Sequence, residues 1–202
     1  LYNETNGRGI LPTPTIGGVG LIDDWSKMAR IRFAAKGETI LLVGAPEEWG
    51  THLGQSVYLR DLFGKAEGPA PKVDLAHERK VGDFVRGLIG KGTATAVHDL
   101  SDGGLAVALA EMAIASGIGA KVNGATGNSA AVWFGEDQGR YLVTVAADAQ
   151  GTVVAEASKT GVRVAVIGAT GGDSLKLGET RAIPVKDLKA AHEGWFPAFM
   201  AA

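Results

Sequence analysis

The 202-residue sequence predicts a mixed α/β fold, in which a mixed β-sheet carries packed helices. Continuous or β-branched apolar runs alternate with stripes of apolar residues at helical spacing, which is the signature of strands and amphipathic helices in turn. Several neighbouring strands nevertheless have no helix between them, and this argues for a mixed sheet over a doubly wound parallel one. The clearest single unit is a strand–turn–helix over 93–117, where Thr93-Ala94-Thr95-Ala96-Val97 precedes Leu105, Leu109 and Met112 at helical spacing.

Residues 1–20 are rich in turn formers, with Pro12, Pro14, Gly17, Gly18 and Gly20. Ile10-Leu11 and Thr15-Ile16 are expected as short strand pieces, confined to edges by the prolines. A further strand is expected near 29–33, and Lys36-Gly37 marks a boundary where a new compact pattern begins. Ile40-Leu41-Leu42-Val43 reads as a strand buried on both faces. Leu59, Leu62 and Phe63 predict a short helix stopped by Gly64, and Gly68-Pro69-Ala70-Pro71 a stiff linker. Asp74 should cap a helix over 74–89, since Val81, Phe84, Val85 and Leu88 make one stripe and Gly90-Lys91-Gly92 ends it. Strands follow at 119–122 and 141–145, then a helix at 152–160, strands at 162–167 and 174–177 (the latter short and at an edge), and a helix around 187–192. Trp195, Phe196, Phe199 and Met200 read as a tail docked on the core; left exposed, they would mark a contact with another domain or subunit.

Composition excludes several functions. A 46% apolar and 21% charged chain is ordinary for a globular protein, and a net charge of −2 gives no basic footprint for nucleic acid. The longest nearly apolar stretch, 105–115, is broken by Glu111 and too short to span a bilayer, so no membrane role is expected. The absence of cysteine removes disulfides, thiolate metal sites and cysteine nucleophiles, and accords with a cytoplasmic location.

The turn His98-Asp99-Leu100-Ser101-Asp102-Gly103-Gly104-Leu105 holds the densest chemistry. Free backbone N–H groups at a helix N-terminus hold anions, glycine allows close backbone approach, and Asp99 or Asp102 suits a metal ion bridging to phosphate. The alternative is structural: Ser101 or Asp102 caps the helix and the glycines ease the turn. Glu111 should face solvent, and His52, His77 and His192 lie at no metal-binding spacing and read as surface residues.

Three ordered runs give the chain a family resemblance. The first is Leu1-Tyr2-Asn3-Glu4-Thr5-Asn6-Gly7 with Ile10-Leu11-Pro12-Thr13-Pro14-Thr15-Ile16-Gly17-Gly18-Val19-Gly20. The second is the 98–105 turn, and the third is Phe134-Gly135-Glu136-Asp137-Gln138-Gly139-Arg140-Tyr141. Together they resemble the C-terminal part of the phosphoribosylformylglycinamidine (FGAM) synthase family, from Leu1 to the end of the chain. The related AIR synthetases tend to carry His-Ile-Thr-Gly-Gly-Gly at the turn, and the extra acidic residues here, with Tyr2-Asn3-Glu4, favour FGAM synthase.

The resemblance implies a fold like the AIR synthetase C-terminal domain. Residues 1–36 would be the remnant of a preceding N-terminal-type domain, and 37–202 the complete α/β domain. It implies ATP-dependent activation of the amide oxygen of formylglycinamide ribonucleotide, displacement of phosphate by ammonia, and ATP and Mg²⁺ as cofactors of the full-length enzyme. The implied partners are the remainder of the synthetase chain, a glutamine amidotransferase subunit and a small accessory subunit. The family's Gly-Asn-x-Ser run should lie upstream of Leu1, so this chain is expected to be a fragment with no catalytic residue and no synthetase activity of its own.

By the same resemblance, His98, Asp99, Ser101, Asp102, Gly103 and Gly104 are candidates for nucleotide or phosphate. Glu136, Asp137 and Gln138 stand where the family's first unit binds substrate, and Arg140 is a candidate beside them. Asn3 and Glu4, with Asp99, are candidates for metal. Structural roles stand beside these: a polar turn at 136–139, and a surface ion pair for Arg140. A non-catalytic nucleotide-holding or partner-docking domain, or a relative of AIR synthetase, are the alternatives.

Overall fold

A computed structural model describes residues 2–10, 15–123 and 130–201. The chain contributes nine strands and six α-helices among these residues. Strands β1 (Glu4–Thr5) and β2 (Arg8–Gly9) form a small antiparallel hairpin. The remaining strands, β3 (Thr39–Val43), β4 (Ala94–Asp99), β5 (Ala120–Val122), β6 (Tyr141–Val145), β7 (Val164–Thr170), β8 (Ser174–Leu177) and β9 (Ile183–Pro184), make one seven-stranded sheet. Its order is β4-β6-β3-β7-β5-β8-β9. Only β5 and β8 pair in parallel; the other five pairings are antiparallel, so the sheet is mixed as expected.

Strand β3 shows why the sheet is covered on both faces. Ile40, Leu41, Leu42 and Val43 are all fully buried, and successive side chains on a strand point to opposite faces. Ile40 and Leu42 join a core with Leu105, Leu109 and Met112 of α3 (Gly104–Ser116) and Val132 and Trp133 of α4 (Ala130–Phe134). Leu41 and Val43 join a second core with Val81, Phe84, Val85 and Leu88 of α2 (Leu75–Gly90) and Val153 and Ala157 of α5 (Gln150–Thr160). Each of the four α2 side chains is worth about 2 kcal/mol of burial, which anchors that helix. Asp74 caps it as predicted, its Oδ1 accepting from the amides of Ala76 and His77 at 3.0 Å. The short helix α1 (Val57–Phe63) ends at Gly64, whose φ of 63° is left-handed.

Several expectations are corrected. Residues 15–16 and 29–33 form no strand, although Phe33 is buried against the first core. Ile10 is likewise outside a strand, while Leu11, Pro12 and Pro14 lie outside the described residues. Strand β8 is not at the edge, because the two-residue β9 pairs with its outer side. Helix α4 was not expected, since five residues are too few to show a helical period. The last helix, α6 (Val185–Met200), runs far past residue 192, through Pro197. Its aromatic end is not docked: Trp195, Phe196, Phe199 and Met200 are each at least 60% exposed, and Trp195 stacks on Phe199 at 5.3 Å between centroids. Among the described residues no helix is long and apolar enough to cross a membrane.

Candidate functional site

Strand β4 ends at Asp99, and the chain turns through residues 100–103 into α3. The turn hangs on the 134–140 loop: the Leu100 amide donates to the Arg140 carbonyl at 2.9 Å. Gly103 and Gly104 both have positive φ, 80° and 65°. A Cβ on Gly104 would collide with the Gly135 carbonyl and the Phe134 backbone, and one on Gly103 with Val107. The glycine pair is therefore required by backbone shape and by contact with the neighbouring loop.

Neither Ser101 nor Asp102 caps α3. Gly103 occupies the cap position, and its N–H donates to Glu136 Oε1 at 2.8 Å. The same oxygen accepts the Val57 amide at 2.8 Å, at the start of α1. One carboxylate thus serves two helix N-termini, and it takes the place at α3 that an external anion would seek. Asp137 does similar work next door: Thr51 donates to it from its amide (2.9 Å) and hydroxyl (2.6 Å), and the His52 amide at 3.1 Å. Burial pushes the Asp137 carboxyl upward, but the Thr51 and His52 donors and the Arg140 charge outweigh it, leaving it below the usual carboxylate range.

Arg140 is no surface residue. It is 1% exposed and donates to three backbone carbonyls: Asp137 at 2.9 Å, Trp49 at 2.7 Å and Gly135 at 2.6 Å. Its distance to the Asp137 carboxylate is 3.8 Å. Burial lowers its pKa from the ordinary arginine value, opposed by Asp137 and Glu136. The guanidinium fork holds the loop that carries Glu136 and Asp137, a role made possible by its planar array of donors.

At the other end of the turn, His98 lies between two carboxylates, with Nε2 2.7 Å from Glu111 and Nδ1 3.3 Å from Asp99. Glu111, expected in solvent, hooks α3 to β4 through this contact. The Ser101 hydroxyl donates to Asp99, and this bond is the chief reason the Asp99 carboxyl lies below its ordinary range; burial opposes it and His98 reinforces it.

The candidates that remain open to solvent line a cleft of about 280 Å³. Asp99, Ser101, Asp102, Glu136 and Gln138 form it with Glu78 and Tyr141. Burial, helped by Glu78 and Asp99, raises the Tyr141 pKa. Four carboxylates stand here against one guanidinium, that of Arg140, whose donors are already taken by carbonyls; the balance disfavours a bare phosphate and suits hydroxyl or cationic groups. They do not build a metal site: among the described residues no group of three or more His, Cys, Asp or Glu side chains is placed to hold an ion. Asn3 and Glu4 lie exposed on the β1–β2 segment, where the Asn3 side chain accepts the Glu4 amide and Glu4 accepts the Tyr2 hydroxyl.

Several of these partners were not visible in the sequence. Val57, Thr51 and His52 are separated from the 136–137 pair by about eighty positions, and Glu78 reaches the cleft from α2. Only the fold brings them together.

A mostly antiparallel sheet covered on both faces, with a glycine turn feeding its longest apolar helix, defines a domain of the AIR synthase-related class. Residues 35–178 match the family described as "AIR synthase related protein, C-terminal domain", and the chain belongs to that family. The chain is 67% identical over 201 residues to the phosphoribosylformylglycinamidine synthase subunit PurL of Sinorhizobium medicae, and 59% over 203 residues to that of Rhodopseudomonas palustris. These alignments take in 99% and 100% of this chain but only 27% of each relative's length. Among solved structures, Thermotoga maritima PurL complexed with FGAR is similar at a TM-score of 0.65 and 15% identity, over 81% of this chain and 30% of that one. A thiamine-monophosphate kinase from Stenotrophomonas maltophilia reaches 0.50 and 23%, over 74% of this chain and 52% of that one. At those identities the likeness shows the fold.

Proposed function

We propose that the chain is the C-terminal portion of an FGAM synthase synthetase subunit, an ATP-dependent carbon–nitrogen ligase of purine biosynthesis. The observation that carries this reading is the 67% identity that runs through 99% of the chain to a subunit of that name. On this reading residues 1–36 are the remnant of a preceding domain, 37–202 form the α/β domain, and ATP and Mg²⁺ belong to the longer protein. The similar T. maritima PurL has been solved complexed with ATP, which supports nucleotide use in that longer protein. The solved T. maritima PurLQS supports assembly of that longer protein with further subunits, which on this reading are a glutamine amidotransferase and a small accessory subunit. The location is cytoplasmic.

Within this chain, Asp99, Ser101, Asp102 and Gln138 are the residues offered to a ligand's hydroxyl or amide groups. Gly103 and Glu136 hold the frame behind them. A non-catalytic, partner-docking role for the domain is favoured by one observation, the exposed aromatic end of α6.

Two measurements test the reading. The purified 202-residue chain should form no FGAM from formylglycinamide ribonucleotide, ATP and ammonia; turnover by the chain alone would contradict its status as an incomplete part. A chimera in which this chain replaces the matching quarter of S. medicae PurL should retain activity within about tenfold of the parent, a loss of about 1.4 kcal/mol at most. A folded but inactive chimera would overturn the assignment.

A further inference from the structure

A second cleft lies beside the candidate site and is lined mostly by residues outside the motifs, Asp137 and Gln138 being the two exceptions. It measures about 740 Å³, within the range of small-molecule sites. Ala45, Pro46, Pro69 and Pro71 give it apolar, stiff lining, and His52, His77, Lys72 and Arg163 give it polar lining. Lys80 reaches the rim at Gly161, where its Nζ lies 2.9 Å from the position a Cβ would take.

Cationic side chains outnumber acidic ones in this lining. Asp137 is the one acidic lining residue, and both its oxygens are already engaged by Thr51 and His52. Glu47 approaches Arg163 only to 3.8 Å, with both side chains mostly in solvent, so that pair is weak. Lys72 and Arg163 therefore line the space with cationic groups and Lys80 stands at its rim beside Gly161, in a chain whose net charge is −2.

The two imidazoles are fixed in orientation. His52 Nε2 lies 2.8 Å from the Pro69 carbonyl, and His77 Nε2 3.1 Å from the Gly44 carbonyl. A carbonyl only accepts, so each Nε2 carries the hydrogen and each ring is braced against the backbone. Close backbone packing holds the frame: Gly44 leaves no room for a Cβ against the Gly139 carbonyl, nor does Gly54 against Pro69. A preformed cleft of this kind binds without a large ordering cost.

We propose that this cleft binds a small phosphate monoester with an apolar body, the body against the proline wall and the phosphate toward Lys72, Arg163 and Lys80. A phosphate monoester carries nearly two negative charges near neutral pH, which matches three cations better than a monocarboxylate does. Arginine can meet two of its oxygens at once. The site is separate from the acidic 280 Å³ cleft, with which it shares only Pro71 and Gln138, and the inference does not depend on the chain's place in a longer enzyme.

Phenyl phosphate is the probe. In a ¹⁵N-edited NMR titration of the 202-residue chain, the Lys72, Gly161 and Arg163 amides and the His52 and His77 rings should shift and saturate, while benzyl alcohol leaves them unmoved. The double variant Lys72→Ala/Arg163→Ala alters exposed side chains, should melt with the parent, and should weaken binding at least about tenfold. Raising ionic strength from about 0.02 to 0.2 M should weaken binding to the parent chain as well, since the contacts are partly solvated. No shift in the cleft, shifts centred on 99–104 instead, or equal affinity in the double variant would overturn the proposal.

Discussion

The two clefts that meet at Pro71 and Gln138 are opposites. Around the smaller one, at the 98–104 turn, the conspicuous residues are engaged with one another: Glu136 with two helix ends, Asp99 with Ser101 and His98, and Arg140 with three carbonyls. Around the larger one, inconspicuous residues from separate loops leave cationic groups facing solvent. A dense polar motif at a glycine turn can thus be chiefly architectural. Its donors and acceptors saturate internally, because buried polar groups without partners are costly. Here no buried side-chain polar atom among the described residues lacks a partner.

Arg140 offers the severest test of that contrast. Arg140→Leu keeps much of the volume but strands the Trp49, Gly135 and Asp137 carbonyls, and urea unfolding should show a loss of about 3–5 kcal/mol. A loss below about 1 kcal/mol would mean that the fork does not hold the loop. Next comes Gly104→Ala, where positive φ and a collision with Gly135 coincide; about 2–4 kcal/mol is expected. Gly117→Ala separates the two causes, because Gly117 also has positive φ (73°) but has open space around it, so only about 1 kcal/mol should be lost. Equal losses at the two glycines would remove the packing argument.

The smallest effect is a pH dependence. Asp137 is held below its unfolded value near 3.8, so its contribution to stability is full above that pH and disappears as pH falls through the lower folded value. The urea midpoint should therefore decline on acidification below about pH 4, and the decline should be shallower in Asp137→Asn. Parallel curves for the two proteins would show that the Thr51 and His52 donors confer no preference for the ionised form.

Much of the fold was legible because it is written in local pattern. The 40–43 run, the Val81–Leu88 stripe with its Asp74 cap, and the Gly64 stop all rest on neighbours within a few residues, and each appears as expected. The strand expected at 29–33 does not form because, among the described residues, its alternation meets no pairing partner along its length; one backbone bond, from the Val97 amide to the Arg30 carbonyl, reaches it. The tail was misjudged for a related reason. Trp195, Phe196, Phe199 and Met200 look like core by composition, whereas in a helix that protrudes they form an exposed end.

The candidate site was legible as a location and only partly as chemistry. Its motifs do lie together, since the 98–104 turn is bound to the 134–140 loop. What each group does depends on long-range partners such as Val57, Thr51 and Trp49, and no local spacing encodes those. Arg140 is the clearest instance, because a lone arginine beside two carboxylates reads as a surface pair until the burial of the loop is known.

A single carboxylate, Glu136, closes both helix ends, and amide hydrogen exchange reads that closure residue by residue. The Gly103 and Val57 amides should be protected in the parent chain. In Glu136→Ala both should exchange at least about tenfold faster, together, while the core amides of β3 keep their protection. Unchanged exchange at Gly103 and Val57, or acceleration at one without the other, would contradict the account.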